Sequence, residues 1–141
     1  MNPLVYAFLT ALALAVADFL IKVTAGKVSN SIGLLLYGSC TFLAGLGWVL
    51  SQRMQGVELY AQPMGILTGI GVGIAFSCVT IGLYTTFAAG IPVSIGSPVI
   101  RLTGLALASL AGLILLREPF TWRYGLGMLL VCCGVYLIIT R

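Results

Sequence analysis

Five apolar runs, each about as long as the hydrocarbon core of a bilayer is thick, take up almost the whole chain. A helix needs roughly 20 mostly apolar residues to cross that core. Runs at about residues 3–25, 31–51, 63–88, 91–116 and 119–140 all meet the requirement. Five spans use about 100 of the 141 residues and leave about 40 for ends and turns, too few for a soluble domain beside them. Charge agrees. Only 7% of the residues are charged, against about 25% in a soluble domain, so the chain cannot dress a water-facing surface. The expected fold class is an all-α integral membrane protein, a five-transmembrane-helix bundle, with residues 1–141 as one membrane domain. The expected location is a cell membrane, crossed several times.

Proline punctuates the runs. Pro3, Pro63, Pro92 and Pro119 each stand at the start of one, where a missing N–H is harmless. The remaining start is marked by Ser29-Asn30-Ser31, all good N-cap types. Ala15-Val16-Ala17 has the A-x-A form of a signal-peptide cleavage site. No Lys or Arg precedes it, and the apolar run resumes at Phe19-Leu20-Ile21, so a retained span is expected.

The same composition excludes several chemistries. Without histidine there is no His-ligated metal and no Ser-His or Cys-His nucleophile. The carboxylates are Asp18, Glu58 and Glu118 alone. Cys40, Cys78, Cys132 and Cys133 lie in apolar stretches without a C-x-x-C pair and read as small packing residues. The net charge of +4 comes from scattered cations rather than a basic patch, so no nucleic-acid partner is expected. Neither an enzyme nor a metal or cofactor site is expected.

Let side A be the membrane face at which the chain starts, and side B the opposite face. Side A then holds Arg53, Arg117 and Arg123. Side B holds Lys27, Arg141 and, if it snorkels, Lys22. This near balance gives the positive-inside rule almost nothing to act on and makes side A cytoplasmic by a slim margin. Trp48, Tyr60, Trp122 and Tyr124 fall near side A, as an interfacial belt would.

Small residues recur at helical spacing. The third run carries Gly65, Gly69, Gly73 and Ser77, the fourth Gly104, Ala108 and Gly112, and the first Ala7, Ala11 and Ala15. Such stripes let helix backbones approach closely in lipid. They serve either static packing or surfaces that slide during transport. In the fifth run Gly127 and Gly134 share a face about 20° out of register. That face packs either within the protomer or against a second copy.

Charge inside the hydrocarbon is expensive and marks function by default. Arg101 lies about ten residues into the fourth run, roughly 15 Å deep, on the Gly104–Ala108–Gly112 face. Asp18 lies about 10 Å from the side-B end of the first, and Lys22 is one turn further on. Asp18 can pair with Lys22 at i, i+4 or with Arg101 at similar depth, and a purely structural ion pair is the alternative to a substrate site. Together the three charges leave an interior of +1, which favours anionic over cationic substrate groups. Pro98 frees the carbonyl of Ser94. With Gly90, Gly96 and Ser97 beside it, a kinked or loosened start of the fourth helix is expected. The candidate substrate-binding residues are therefore Asp18, Lys22, Ser94, Ser97 and Arg101.

The run Gly90-Ile91-Pro92-Val93-Ser94-Ile95-Gly96-Ser97-Pro98-Val99, the small-residue helix after it, Leu116-Arg117-Glu118-Pro119-Phe120-Thr121 and Gly125-Leu126-Gly127 resemble the second half of an EamA repeat. That family belongs to the drug/metabolite transporter superfamily. Ala17-Asp18-Phe19-x-x-Lys22 is similar to one variant of its first helix. Arg117 departs from the family's glycine. The segment Gly127 to Gly134 is also similar to the last helix of the small multidrug resistance family, where it forms the dimer contact; Met1-Asn2-Pro3 and Lys22 are similar to that family too. That family's membrane glutamate, eight residues before the lysine, is Leu14 here, so proton-coupled export of cationic drugs is not implied. Relatives hold two oppositely oriented five-helix repeats in one chain. The resemblance thus implies half of a ten-helix transporter, completed by an antiparallel homodimer through Gly127 and Gly134 or by a related membrane subunit. It also implies a bacterial inner membrane and a small polar or anionic metabolite as substrate. The alternatives are a flippase or flippase subunit for a lipid-linked anionic headgroup, and a non-transporting scaffold subunit.

Overall fold

A computed structural model describes residues 3–117 and 119–140. Met1, Asn2, Glu118 and Arg141, each used in the sequence reading, lie outside the described residues. Five helices follow in order: α1 (Pro3–Thr24), α2 (Asn30–Met54), α3 (Pro63–Ala88), α4 (Val93–Leu115) and α5 (Trp122–Ile139). All five are long and apolar enough to cross a membrane, which makes the chain a multi-pass membrane protein. Among the described residues there is no β-strand, only an isolated bridge between Ala25 and Val28 in the first turn.

The expected starts hold at Pro3 and Pro63, which open α1 and α3. α4 and α5 start later than their prolines. Pro92 is the N-cap of α4 rather than its first residue: its own backbone is extended, ψ 146, and its carbonyl accepts the first helical N–H groups, from Ile95 at 3.1 Å and Gly96 at 2.9 Å. α5 starts at Trp122, after an extended Thr121 N-cap. The Phe120 ring lies over Gly125, where a Cβ would come within 2.8 Å of it, and meets the Tyr124 ring edge-on at 6.4 Å. Phe120 is thus at N′, with Tyr124 at N3 and Gly125 at N4 beneath its ring, one position off the pair of a hydrophobic staple. Of the kink or loosening expected near Pro98, the loosening is not seen: α4 continues helically through it.

Helix ends follow from backbone chemistry. Beyond α2, Gly56 takes φ +72 while its N–H bonds the Arg53 carbonyl and Val57 N–H bonds that of Gln52, a Schellman motif. After α4 the equivalent left-handed position is filled by Arg117 at φ +52. α4 has no basic residue in its last turn, so Arg117 places a cation beyond the negative end of the helix dipole at the expense of backbone strain.

The chain divides into two compact units, Met1–Ala89 and Gly90–Arg141. In the first, α3 packs on both α1 and α2; in the second, α4 packs on α5. The described buried residues of the first unit are Asp18, Gly33, Thr80, Leu83, Tyr84 and Phe87. Gly33 is required there. A Cβ on it would sit 2.6 Å from the Tyr84 ring.

Two measurements check these readings. Gly33→Ala and Gly38→Ala gain similar helix propensity, but Gly38 has open space where its Cβ would go. Gly33→Ala should therefore melt lower in detergent, by the equivalent of roughly 1–3 kcal/mol of overpacking. Arg117→Gly should raise stability by about 0.5–1 kcal/mol, since relief of left-handed strain exceeds the added chain entropy; an unchanged melting temperature would refute that account.

Candidate functional site

Within the first unit the polar residues converge at side B. α1 presents Asp18 there, only 2% exposed, one turn before the half-buried Lys22. Opposite stands the last part of α3, whose Thr80, Leu83, Tyr84 and Phe87 form a buried face at helical spacing. The Lys22 ammonium donates to the Phe87 carbonyl at 3.1 Å and lies 5.8 Å from the centre of the Phe87 ring. That carbonyl belongs to the last turn of α3 and also accepts a capping backbone N–H, so the ammonium is a second donor to it. α3 has no basic residue of its own in that turn. Lys22 thus acts as a C-cap supplied by a neighbouring helix. A charged hydrogen bond of this kind contributes roughly 1.5–3 kcal/mol.

Hydroxyls near the site are satisfied locally. Thr80 Oγ1 donates to the Phe76 carbonyl at 2.8 Å and Thr85 Oγ1 to that of Ile81 at 2.8 Å. The Thr85 hydroxyl also accepts from the Asn30 amide at 3.4 Å, which ties α3 to the start of α2. The side-B end of this three-helix unit thus carries a buried carboxylate, an ammonium and a buried hydroxyl. Such a set can hold a polar or charged group by hydrogen bonds, and it offers no nucleophile–base pair. No group of three or more potential metal ligands exists among the described residues.

The other expected site residues lie on α4, in the second unit. Ser94, Ser97 and Arg101 share one face of that helix by their spacing. Ser94 is exposed, whereas Ser97 and Arg101 are half-buried. Arg101 is about 12 Å along α4 from Val93. Asp18, Lys22, Ser97 and Arg101 all have interactions beyond those named here.

The small-residue stripes are open. Gly65, Gly69 and Gly73 on α3, Gly104 on α4, and Gly127 and Gly134 on α5 have no atom within 4 Å of where a Cβ would stand. At these glycines no close backbone approach is seen among the described residues of their own unit. Between α2 and α3 runs a furrow of about 390 Å³, lined by Tyr37, Gly38, Thr41, Phe42, Gly69 and Gly73 among others.

Sequence reasoning passed over Thr80, Tyr84 and Phe87. Their signal was the i, i+4, i+7 spacing near the side-B end of a run whose glycines drew notice instead. No family model, no curated protein and no solved structure matches the chain.

Proposed function

We propose that the chain is a half-size membrane transporter of the drug/metabolite type, acting as a dimer on a small polar or anionic metabolite. One observation carries this reading: Asp18, a 2%-exposed carboxylate, sits well inside a helix long and apolar enough to cross a membrane. A carboxylate is costly at that depth and is retained where it serves a pathway or a partner. The EamA resemblance of α1, α4 and α5 supports it, as does Arg101, whose planar guanidinium can grip a carboxylate or phosphate through two parallel hydrogen bonds. The open Gly127/Gly134 face of α5 supports the dimer.

A second reading, a flippase or flippase subunit for a lipid-linked anionic headgroup, draws on the furrow between α2 and α3. An apolar furrow on a membrane helix pair suits an acyl chain.

Uptake of labelled small carboxylates and phosphate esters into proteoliposomes tests the first reading, and movement of a fluorescent anionic lipid between leaflets tests the second. Arg101→Lys should fold and lose at least about tenfold in uptake, since an ammonium cannot reproduce the bidentate grip. Asp18→Asn should keep its melting temperature and change apparent affinity. A folded Arg101→Ala protein with undiminished uptake would remove Arg101 from the mechanism. An Asp18→Asn protein that melts early, by the equivalent of roughly 3–5 kcal/mol, would make Asp18 one half of a structural ion pair.

The dimer has its own check. Gly127→Leu combined with Gly134→Leu adds bulk to an open helix face and should abolish most of the crosslinked dimer in detergent. Undiminished crosslinking would place the contact elsewhere.

A further inference from the structure

The furrow between α2 and α3 continues beyond the stretch where both helices line it. A hollow toward side B shares Gly38 and Phe42 with it, and a hollow toward side A shares Thr41 and Phe42 and runs on along α2 to Gly45 and Val49. Glycine makes the trough: Gly38 and Gly45 on α2 and Gly69 and Gly73 on α3 have no described atom within 4 Å of where a Cβ would stand. The Thr41 and Ser77 hydroxyls ask nothing of an occupant. Thr41 Oγ1 donates to the Tyr37 carbonyl at 2.8 Å and Ser77 Oγ to that of Gly73 at 2.9 Å.

The side-A end of this channel is charged. Phe42, Leu46, Val49 and Arg53 recur at i, i+4, i+7 and i+11, so they share one face of α2, the face that the side-A hollow follows. Arg53 stands in the last turn of the helix and is exposed. From it to Phe42 is about 16 Å along the axis, close to the depth of one leaflet in a hydrocarbon core of about 30 Å. A cation at headgroup level above a leaflet-deep apolar groove matches the plan of a phospholipid, an anionic head on a chain of that length. A second helix in the groove would need no charge at that place. Arg53 also complements the negative end of the α2 dipole, a role that does not distinguish one lipid from another.

We propose that the α2–α3 furrow holds one acyl chain of an anionic phospholipid of the side-A leaflet, with the Arg53 guanidinium on its phosphate. The inference shares the furrow with the flippase reading and names the class of lipid it takes, but it requires no movement of that lipid between leaflets. It draws on α2 and α3 alone, both in the first unit.

Quenching of a single tryptophan by brominated lipid tests this in the full-length protein, purified in detergent. Trp48→Phe and Trp122→Phe remove the native tryptophans, and Phe42→Trp places a reporter in the furrow. Phe42 is 68% exposed, so the larger ring has room. Phosphatidylglycerol with brominated acyl chains should quench the reporter saturably. Its half-saturation should lie about fivefold below that of brominated phosphatidylcholine, the size expected for one basic residue at an anionic surface. Arg53→Gln should bring the two lipids within about twofold of each other. Arg123→Gln, on α5, and Glu58→Gln, which removes the carboxylate of the loop after α2, should keep the preference. Gly69→Leu fills the furrow and should weaken quenching by both lipids. If Phe42→Trp does not fold by circular dichroism and gel filtration, Val49→Trp on the same face takes its place, with the same expectations. No quenching by either lipid would overturn the proposal and give the furrow to a protein segment, either the second unit or a second copy. Equal half-saturation by the two lipids with Arg53 present would overturn it too, leaving Arg53 to the helix dipole. So would a preference that survives Arg53→Gln. The measurement involves no transport. Its failure leaves the transporter reading standing, and a failed leaflet-exchange assay with the preference intact sinks only the flippase reading.

Discussion

Inside a bilayer no water is at hand for a backbone N–H or carbonyl, and every other feature of this chain is arranged around that lack. It selects helices, since only they satisfy the backbone within a single segment. It also governs the side chains. The hydroxyls of Thr10, Ser39, Thr41, Thr68, Ser77, Thr80 and Thr85 all donate to carbonyls three or four residues back on their own helices. A polar side chain at membrane depth is thereby neutralised without a partner helix. Those that bond across helices stand out against this background. Lys22 and Asn30 reach other helices, and both do so at one end of one unit.

The sequence made five helices legible because hydrocarbon thickness and run length are compared directly, and proline fixed two of the starts. It was less informative where two local rules compete. Pro92 was read as an opener, but its own backbone is extended and it caps the helix through its carbonyl instead of starting it. Pro98 was read as a kink or a loosening, and the helix runs on through it, since one missing N–H is tolerated when the surrounding turns are intact. Asp18 and Lys22 were visible as charges in an apolar run. Their counterpart was not, because the acceptor for Lys22 is a backbone carbonyl. Any residue could have supplied it, so no side-chain pattern marks Phe87. Where Ser94, Ser97 and Arg101 sit on α4 followed from spacing alone, whereas the buried face of α3 needed the fold, since Thr80 and Tyr84 resemble ordinary membrane-helix residues.

The open glycines carry a consequence for how the protein is completed. In water an unpacked apolar helix face would be a liability, but lipid tails cover it without penalty. Exposure of Leu, Ile and Phe along α1–α5 therefore says nothing about missing partners. Glycine is different. Lipid does not need a flat backbone, and glycine is a poor helix former compared with alanine by about 1 kcal/mol. Gly127 and Gly134 bear that cost with no described atom within 4 Å of where a Cβ would stand. A second backbone approaching closely is the arrangement that would repay it, and the same reasoning applies to Gly69 and Gly73 on α3.

Gly33 shows what repayment looks like when it is found inside the chain. The Tyr84 ring occupies the space that any side chain at position 33 would take, and this contact lies beside the Asn30–Thr85 bond at the side-B end of the unit. Close approach at a glycine, a cross-helix hydrogen bond and a lysine on a helix terminus thus all act within about 12 Å of one membrane face. Toward the other face the same helices have glycines with nothing against them.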